Sequence, residues 1–183
     1  MKFIISLLVL PIPFSSIRKR LKIRLLSYLY SMRVTRKARY VGCGLHIRGV
    51  SVVTKNTEIG ENVTLNGLSV SGNGKCVIGS HTKIGPDTLI ITQSHNYEGD
   101  KLPYGDDYVL KNVEIGECVW IGSRVTILPG TRIGEGAIIQ AGSVVHGEIP
   151  SCAIAGGNPA AVFAWRDKEH YHLLRNKEVY IRW

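Results

Sequence analysis

The chain has 183 residues, 44% apolar and 20% charged, the composition of one ordinary globular domain; this excludes a large multidomain enzyme and a disordered chain. The formal charge of +9 is unevenly spread: residues 1–57 hold 12 Lys and Arg and no acid, whereas residues 58–183 hold 11 bases against 14 acids. A basic N-terminal arm on a mildly acidic body argues against a nucleic-acid binder, whose positive field would cover more of the surface.

The arm, residues 1–40, opens with an apolar stretch from Phe3 to Phe14 that Pro11 and Pro13 interrupt. It is too short to span a bilayer, which takes ~20 residues in a helix. A secretory signal is the competing reading, but Arg18, Lys19, Arg20, Lys22 and Arg24 follow where a small-residue cleavage site belongs. Ile17, Leu21, Leu25, Tyr28 or Leu29, and Met32 then recur at three-to-four spacing among cations, which predicts an amphipathic helix. Such a helix either lies on a membrane, with residues 1–32 making peripheral contact, or caps the body that follows.

From residue 41 large aliphatic residues recur every six positions. The first run is Val41, Ile47, Val53, Ile59 and Leu65; a one-residue slip around Ser71–Lys75 resets it to Ile78, Ile84 and Ile90. A later run reads Val109, Ile115, Ile121, Ile127, Ile133, Ile139 and Val145. Gly follows the aliphatic residue in IGEN, IGSH, IGPD, IGEC, IGSR and IGEG, and small or β-branched residues such as Val63, Thr82, Val125 and Ser143 sit four positions on. A period of six fits neither a helix nor one long alternating strand. It fits short strands joined by tight turns, three to a coil of 18 residues, stacked as a prism with the aliphatic residues inside. Glycine is expected where the turn needs unusual φ or where the next coil packs close. A sandwich of short strands would need this spacing to be accidental.

Between Ile90 and Val109 the repeat breaks into TQSHNYEGDKLPYGDDY, too long and polar for a corner, so residues 91–109 are expected to protrude as a loop. Residues 41–150 make the solenoid body with this loop; residues 151–183 form a tail in which WRDKEHYHLLRN predicts a short surface helix. Cys43, Cys76, Cys118 and Cys152 are widely spaced with no CxxC pair, which suits reduced thiols in a cytoplasmic protein.

The hexads, with IGECVWIGSRVTILPGTRIGEGAIIQAGSVV and the later AIAGGNPA, resemble the hexapeptide-repeat acyltransferases, in particular maltose and galactoside O-acetyltransferases and relatives that acetylate capsule or O-antigen sugars. The resemblance implies an all-β solenoid, a left-handed parallel β-helix with a protruding loop, an N-terminal helical arm and a short C-terminal helix. It also implies a homotrimer using acetyl-CoA as co-substrate, with each active site between two copies. His95 matches the catalytic histidine, and neutral imidazole suits removal of a proton from a sugar hydroxyl. Transfer would be direct, with a backbone N–H at the oxyanion and no serine or cysteine nucleophile. Asn66, Asn96 and Trp120 are acceptor-site candidates, Asn96 from proximity alone. Ser123, Ala141 and Gly142 match positions along the pantetheine. Gly147 and Ala161 stand where the family often has cations near the phosphates of coenzyme A, so Arg166, with Arg124 and Arg132 behind it, is the expected replacement.

Three other readings belong beside this one. The scaffold and base would equally serve N-acetylation of an amino sugar, and a non-catalytic β-helix would serve as an assembly module. A zinc site of the gamma-class carbonic anhydrase kind needs at least three protein ligands, and the paired histidines of that class are absent, so no metal is expected. The expected enzyme acts on a sugar or glycan in surface polysaccharide synthesis, without nucleic acid. The expected location is cytoplasmic, and peripheral at the inner face of the membrane if the arm lies on a bilayer and does not cap the body.

Overall fold

A computed structural model describes residues 14–181 as a stack of parallel coils flanked by two helices. Nearly all of the N-terminal apolar stretch, residues 3–13, lies outside the described residues. The first face of the prism carries strands Tyr40–Val41, Thr57–Ile59, Cys76–Ile78, Val113–Ile115, Arg132–Ile133 and Glu148–Ile149. The second runs from His46–Gly49 through Thr64–Asn66, Lys83–Ile84, Trp120–Ile121 and Ile138–Ile139 to Ala153–Gly157, and the third holds Ser69–Ser71, Leu89–Ile91, Thr126–Ile127 and Val144–Val145. All neighbours within these stacks pair in parallel, so the chain is the parallel β-solenoid that its six-residue period predicts.

The aliphatic residue of each hexad points inward. Ile59, Ile78 and Ile115 lie over one another on the first face, Leu65, Ile84, Ile121 and Ile139 on the second, and Ile90, Ile127 and Val145 on the third, all buried. Small residues four positions on turn the corner inside, and their hydroxyls are satisfied there: Thr82 donates to the Gly116 carbonyl (2.9 Å) and Ser143 to that of Gln140 (2.6 Å).

Two special positions recur at the corners, with different causes. Gly after the aliphatic residue is set by close approach: a Cβ on Gly122 would stand 2.6 Å from the Ala141 nitrogen of the next coil. The left-handed position falls two residues later, at Asn62, His81, Asp87, Cys118, Arg124, Gly136, Gly142 and Cys152.

Three details of the repeat differ from the sequence pattern. Val70, not Ser71, turns inward beside buried Leu68, so the slip begins one corner earlier than Ser71–Lys75. Val109 is not a coil residue: it is exposed on Tyr108–Leu110, which pairs antiparallel with Gln93–His95. The extension therefore leaves the solenoid as a hairpin, and Ile78 stacks on Ile115 across it. The solenoid also continues past residue 150, because Ala155 stacks on Ile139 before Ala160–Trp165 folds back antiparallel over Ala153–Gly157.

Helix α1, Phe14–Lys37, closes the N-terminal end: Val34 is buried, and Tyr30 and Ala38 pack against the core. Helix α2, Lys168–Asn176, starts at Asp167, whose carboxylate accepts the His170 N–H (3.0 Å). No helix among the described residues is long and apolar enough to cross a membrane.

Candidate active site

The prism has three edges, and the candidate residues fall on all of them. His95 ends the first strand of the hairpin that leaves the edge between the third and first faces. Its imidazole is exposed, stacked on Tyr104 (centroids 3.8 Å, 20° between planes) and tilted against Tyr108 (4.7 Å). Two phenol rings thus fix the plane of the exposed imidazole. Asn96 is spent on the loop itself. Its Nδ2 donates to Asp107 (3.1 Å), its Oδ1 accepts the Glu98 N–H (3.1 Å), and its carbonyl accepts from Gly105 (2.8 Å). It therefore holds the two ends of the extension together.

The edge between the second and third faces carries Asn66, Ser123, Ala141 and Gly142. Ser123, Ala141 and Gly142 line an open groove of about 550 Å³ with Pro86, Asp87 and Arg124. Asn66, half-buried at the end of its strand, lines an adjoining hollow that shares Pro86 and Asp87 with that groove. The geometry suits a long, thin ligand: Ala141 is exposed with only a methyl side chain, and a Cβ on Gly142 would meet nothing within 4 Å. The Arg124 and Gly142 N–H groups bond the Pro86 and Ser123 carbonyls (2.7 and 2.8 Å) in the coil stack. Arg124 is an exposed cation directly on the groove.

Trp120 and Arg166 lie elsewhere, against α2. Together with His81, Lys83, Cys118 and Tyr180 they line a largely apolar cavity of about 530 Å³. Trp120 is 56% exposed on the second face, level with Lys83 and Ile138. Arg166 donates from Nε to the Gly136 carbonyl (2.6 Å) and stands 5.8 Å from the centre of the Tyr171 ring. Arg132 pairs with Glu114 on the first face (3.7 Å). Of the three arginines considered for a phosphate, only Arg124 shares a groove with Ser123, Ala141 and Gly142.

The cavity under α2 contains groups to which the sequence assigned no role. His81 stacks on Tyr180 at 3.7 Å, and its buried Nδ1 has no hydrogen-bond partner. Burial pulls its pKa below the ordinary value, while Glu117 pulls the other way. Lys83 donates to the Asn62 carbonyl (2.9 Å) and Thr64 Oγ1 (3.0 Å), and burial lowers its pKa too. Arg175 bonds Glu135 and Glu117, and its hydrogen bond holds the Glu135 carboxyl below the usual range. These contacts join residues far apart in sequence, so no local motif announces them.

All four cysteines are free; Cys76 is buried, and desolvation pushes its thiol up to about 12. His81 and His95 occupy different edges, and among the described residues no group of three or more His, Cys, Asp or Glu is placed to hold a metal ion.

One chain therefore brings Ser123, Ala141, Gly142 and Asn66 onto one edge, and presents His95 from another. Residues 112–147 match the family model described as bacterial transferase hexapeptide (six repeats). The galactoside O-acetyltransferase of Lactococcus lactis subsp. lactis (strain IL1403) is 37% identical over 109 residues, 59% of this chain and 52% of that protein. The putative lipopolysaccharide biosynthesis O-acetyl transferase WbbJ of Escherichia coli (strain K12) is 30% identical over 66% of this chain and 65% of its own length. The hexapeptide-repeat-containing acetyltransferase VCA0836 of Vibrio cholerae O1 biovar eltor, solved with acetyl coenzyme A, superposes with a TM-score of 0.66 at 24% identity, covering 81% of this chain and 83% of that one. The chain spans about half the length of the curated relatives it matches. By fold it is a hexapeptide-repeat solenoid, and in sequence it resembles the hexapeptide-repeat acyltransferases.

Proposed function

We propose that the chain is an acetyl-CoA-dependent O-acetyltransferase acting on a sugar hydroxyl in the synthesis of a surface polysaccharide, working as a homotrimer in the cytoplasm. The observation that carries this reading is the presentation of His95: an exposed imidazole, aligned by Tyr104 and Tyr108, held off the body on a two-stranded hairpin. Acetyl-CoA supplies the activated acyl group as a thioester. His95 takes the proton of the acceptor hydroxyl, the oxygen attacks the acetyl carbonyl, and the tetrahedral intermediate expels the coenzyme A thiolate, which takes up that proton. The groove at Ser123, Ala141 and Gly142 receives the pantetheine, and Arg124 meets a phosphate of the coenzyme. Because His95 and this groove occupy different edges, the site is completed by the hairpin of a neighbouring copy. Asn66, in the hollow that adjoins the groove, borders the acceptor, whereas Trp120, against α2, is given no part in it. Asn96 acts by fixing the hairpin that carries His95.

The test is release of coenzyme A from acetyl-CoA with sugar nucleotides, free sugars, amino sugars and isolated polysaccharide as acceptors. Turnover with a hydroxyl acceptor, reduced ~100-fold or more in the His95→Ala variant at unchanged melting temperature, is the expected result. Turnover on amino sugars alone would replace O- by N-acetylation. No acetyl-CoA binding at all would leave an assembly module.

A further inference from the structure

Helix α1 has two apolar sides, and the solenoid uses one of them. Tyr30, Val34 and Ala38 follow a spacing of four and pack on the core. Leu21, Leu25, Tyr28 and Met32 follow spacings of four, three and four and form a second stripe, centred about 150° around the helix from the first at 100° per residue. Leu21, Leu25 and Tyr28 are 59–61% exposed, and Leu29 beside them is 50% exposed. Closing the end of a repeat stack accounts for the first side and leaves the second without a partner.

Charge decides what would cover it. Phe14–Lys37 contains eight Lys and Arg and no acid, and Arg24, Arg33, Arg36 and Lys37 are exposed. Where α1 meets the first coils, Leu29, Met32, Arg33, Arg36, Lys37 and Val52 line a groove of about 580 Å³, so apolar and cationic side chains stand next to each other. A second copy of the helix would cover the leucines but bring like charges together. A nucleic acid would meet the cations but leave Leu21, Leu25 and Tyr28 in water. An anionic bilayer satisfies both, with apolar side chains at the acyl boundary and cations among the headgroup phosphates.

We infer that α1 is an interfacial helix that docks the protein on an anionic lipid bilayer, one side gripping the solenoid and the other the membrane. The test uses the full chain and vesicles of phosphatidylcholine, with and without about one third phosphatidylglycerol. The wild type is expected to co-sediment with the anionic vesicles, to bind neutral ones on the order of 10-fold more weakly, and to be released by high salt. Two triple variants, Leu21→Ser/Leu25→Ser/Tyr28→Ser and Arg24→Gln/Arg33→Gln/Arg36→Gln, should each lower partitioning ~10-fold or more. Both should keep the wild-type melting temperature and light-scattering mass. Loss of oligomer mass in the leucine variant would make the stripe a contact between copies and overturn the inference. Undiminished vesicle binding by that variant, or failure of the wild type to bind anionic vesicles, would overturn it as well.

Discussion

Single residues in this fold are constrained by position within the hexad more than by chemistry. At Gly122 the next coil is the obstacle, and Ala there should destabilise by ~1–3 kcal/mol because the Ala141 backbone must shift. At Gly142 space is open but φ is +74°, so Gly142→Ala should cost only ~1 kcal/mol. Denaturant midpoints of the two variants check this, and the reverse order would contradict the corner geometry. The glycine signature was legible as sequence, yet its cause was not, since a repeated Gly after Ile does not say whether backbone angle or a neighbouring coil excludes the side chain. Arg124 shows the same limit: its nearness to Ala141 comes from coil stacking, not from spacing along a motif. Arg124→Gln should raise the acetyl-CoA KM ~10-fold and leave kcat nearly unchanged, whereas Arg166→Gln should have the smaller effect on KM. Steady-state kinetics with acetyl-CoA varied would separate them.

Among the elements, α2 was predictable as a helix from WRDKEHYHLLRN, but its docking was not, because the partners lie dozens of residues upstream. Tyr171 and Arg175 reach Glu135, Arg175 reaches Glu117, and Tyr180 covers His81. Both titratable partners make this docking acid-sensitive. His81 has a folded pKa below its ordinary 6.5, so the unfolded state gains its proton first and stability is lost as pH falls from about 6.5. Glu135 has a folded pKa below its ordinary 4.5, and its contribution is lost as pH falls further, through the folded value. Hydrogen exchange should show α2 amides opening faster as pH drops below 6.5, after correction for intrinsic exchange, while Ile121 and Ile139 amides stay protected. Glu135→Gln should remove much of the change below pH 4.5 and leave the earlier part in place; equal exchange at all pH values would refute the account. The hairpin is a second case: its polarity was visible, but the strand pairing that places Val109 outside the solenoid required the partner strand Gln93–His95.

For the whole molecule, the six-residue period was enough to specify the coils, because a solenoid repeats one local solution and each coil meets only its neighbours. What a single sequence leaves out is how chains meet, and the proposed site depends on that meeting. A homotrimer predicts a light-scattering mass three times 20.2 kDa. The most direct test of a shared site mixes two inactive variants: His95→Ala, which keeps an intact groove, and Ala141→Phe, which blocks the groove but keeps His95. Each should be inactive alone. After co-expression, sites joining a native hairpin to a native groove should return about one quarter of wild-type activity, the random-mixing value for equal amounts. No recovery in verified mixed trimers would contradict a site built by two copies of the chain.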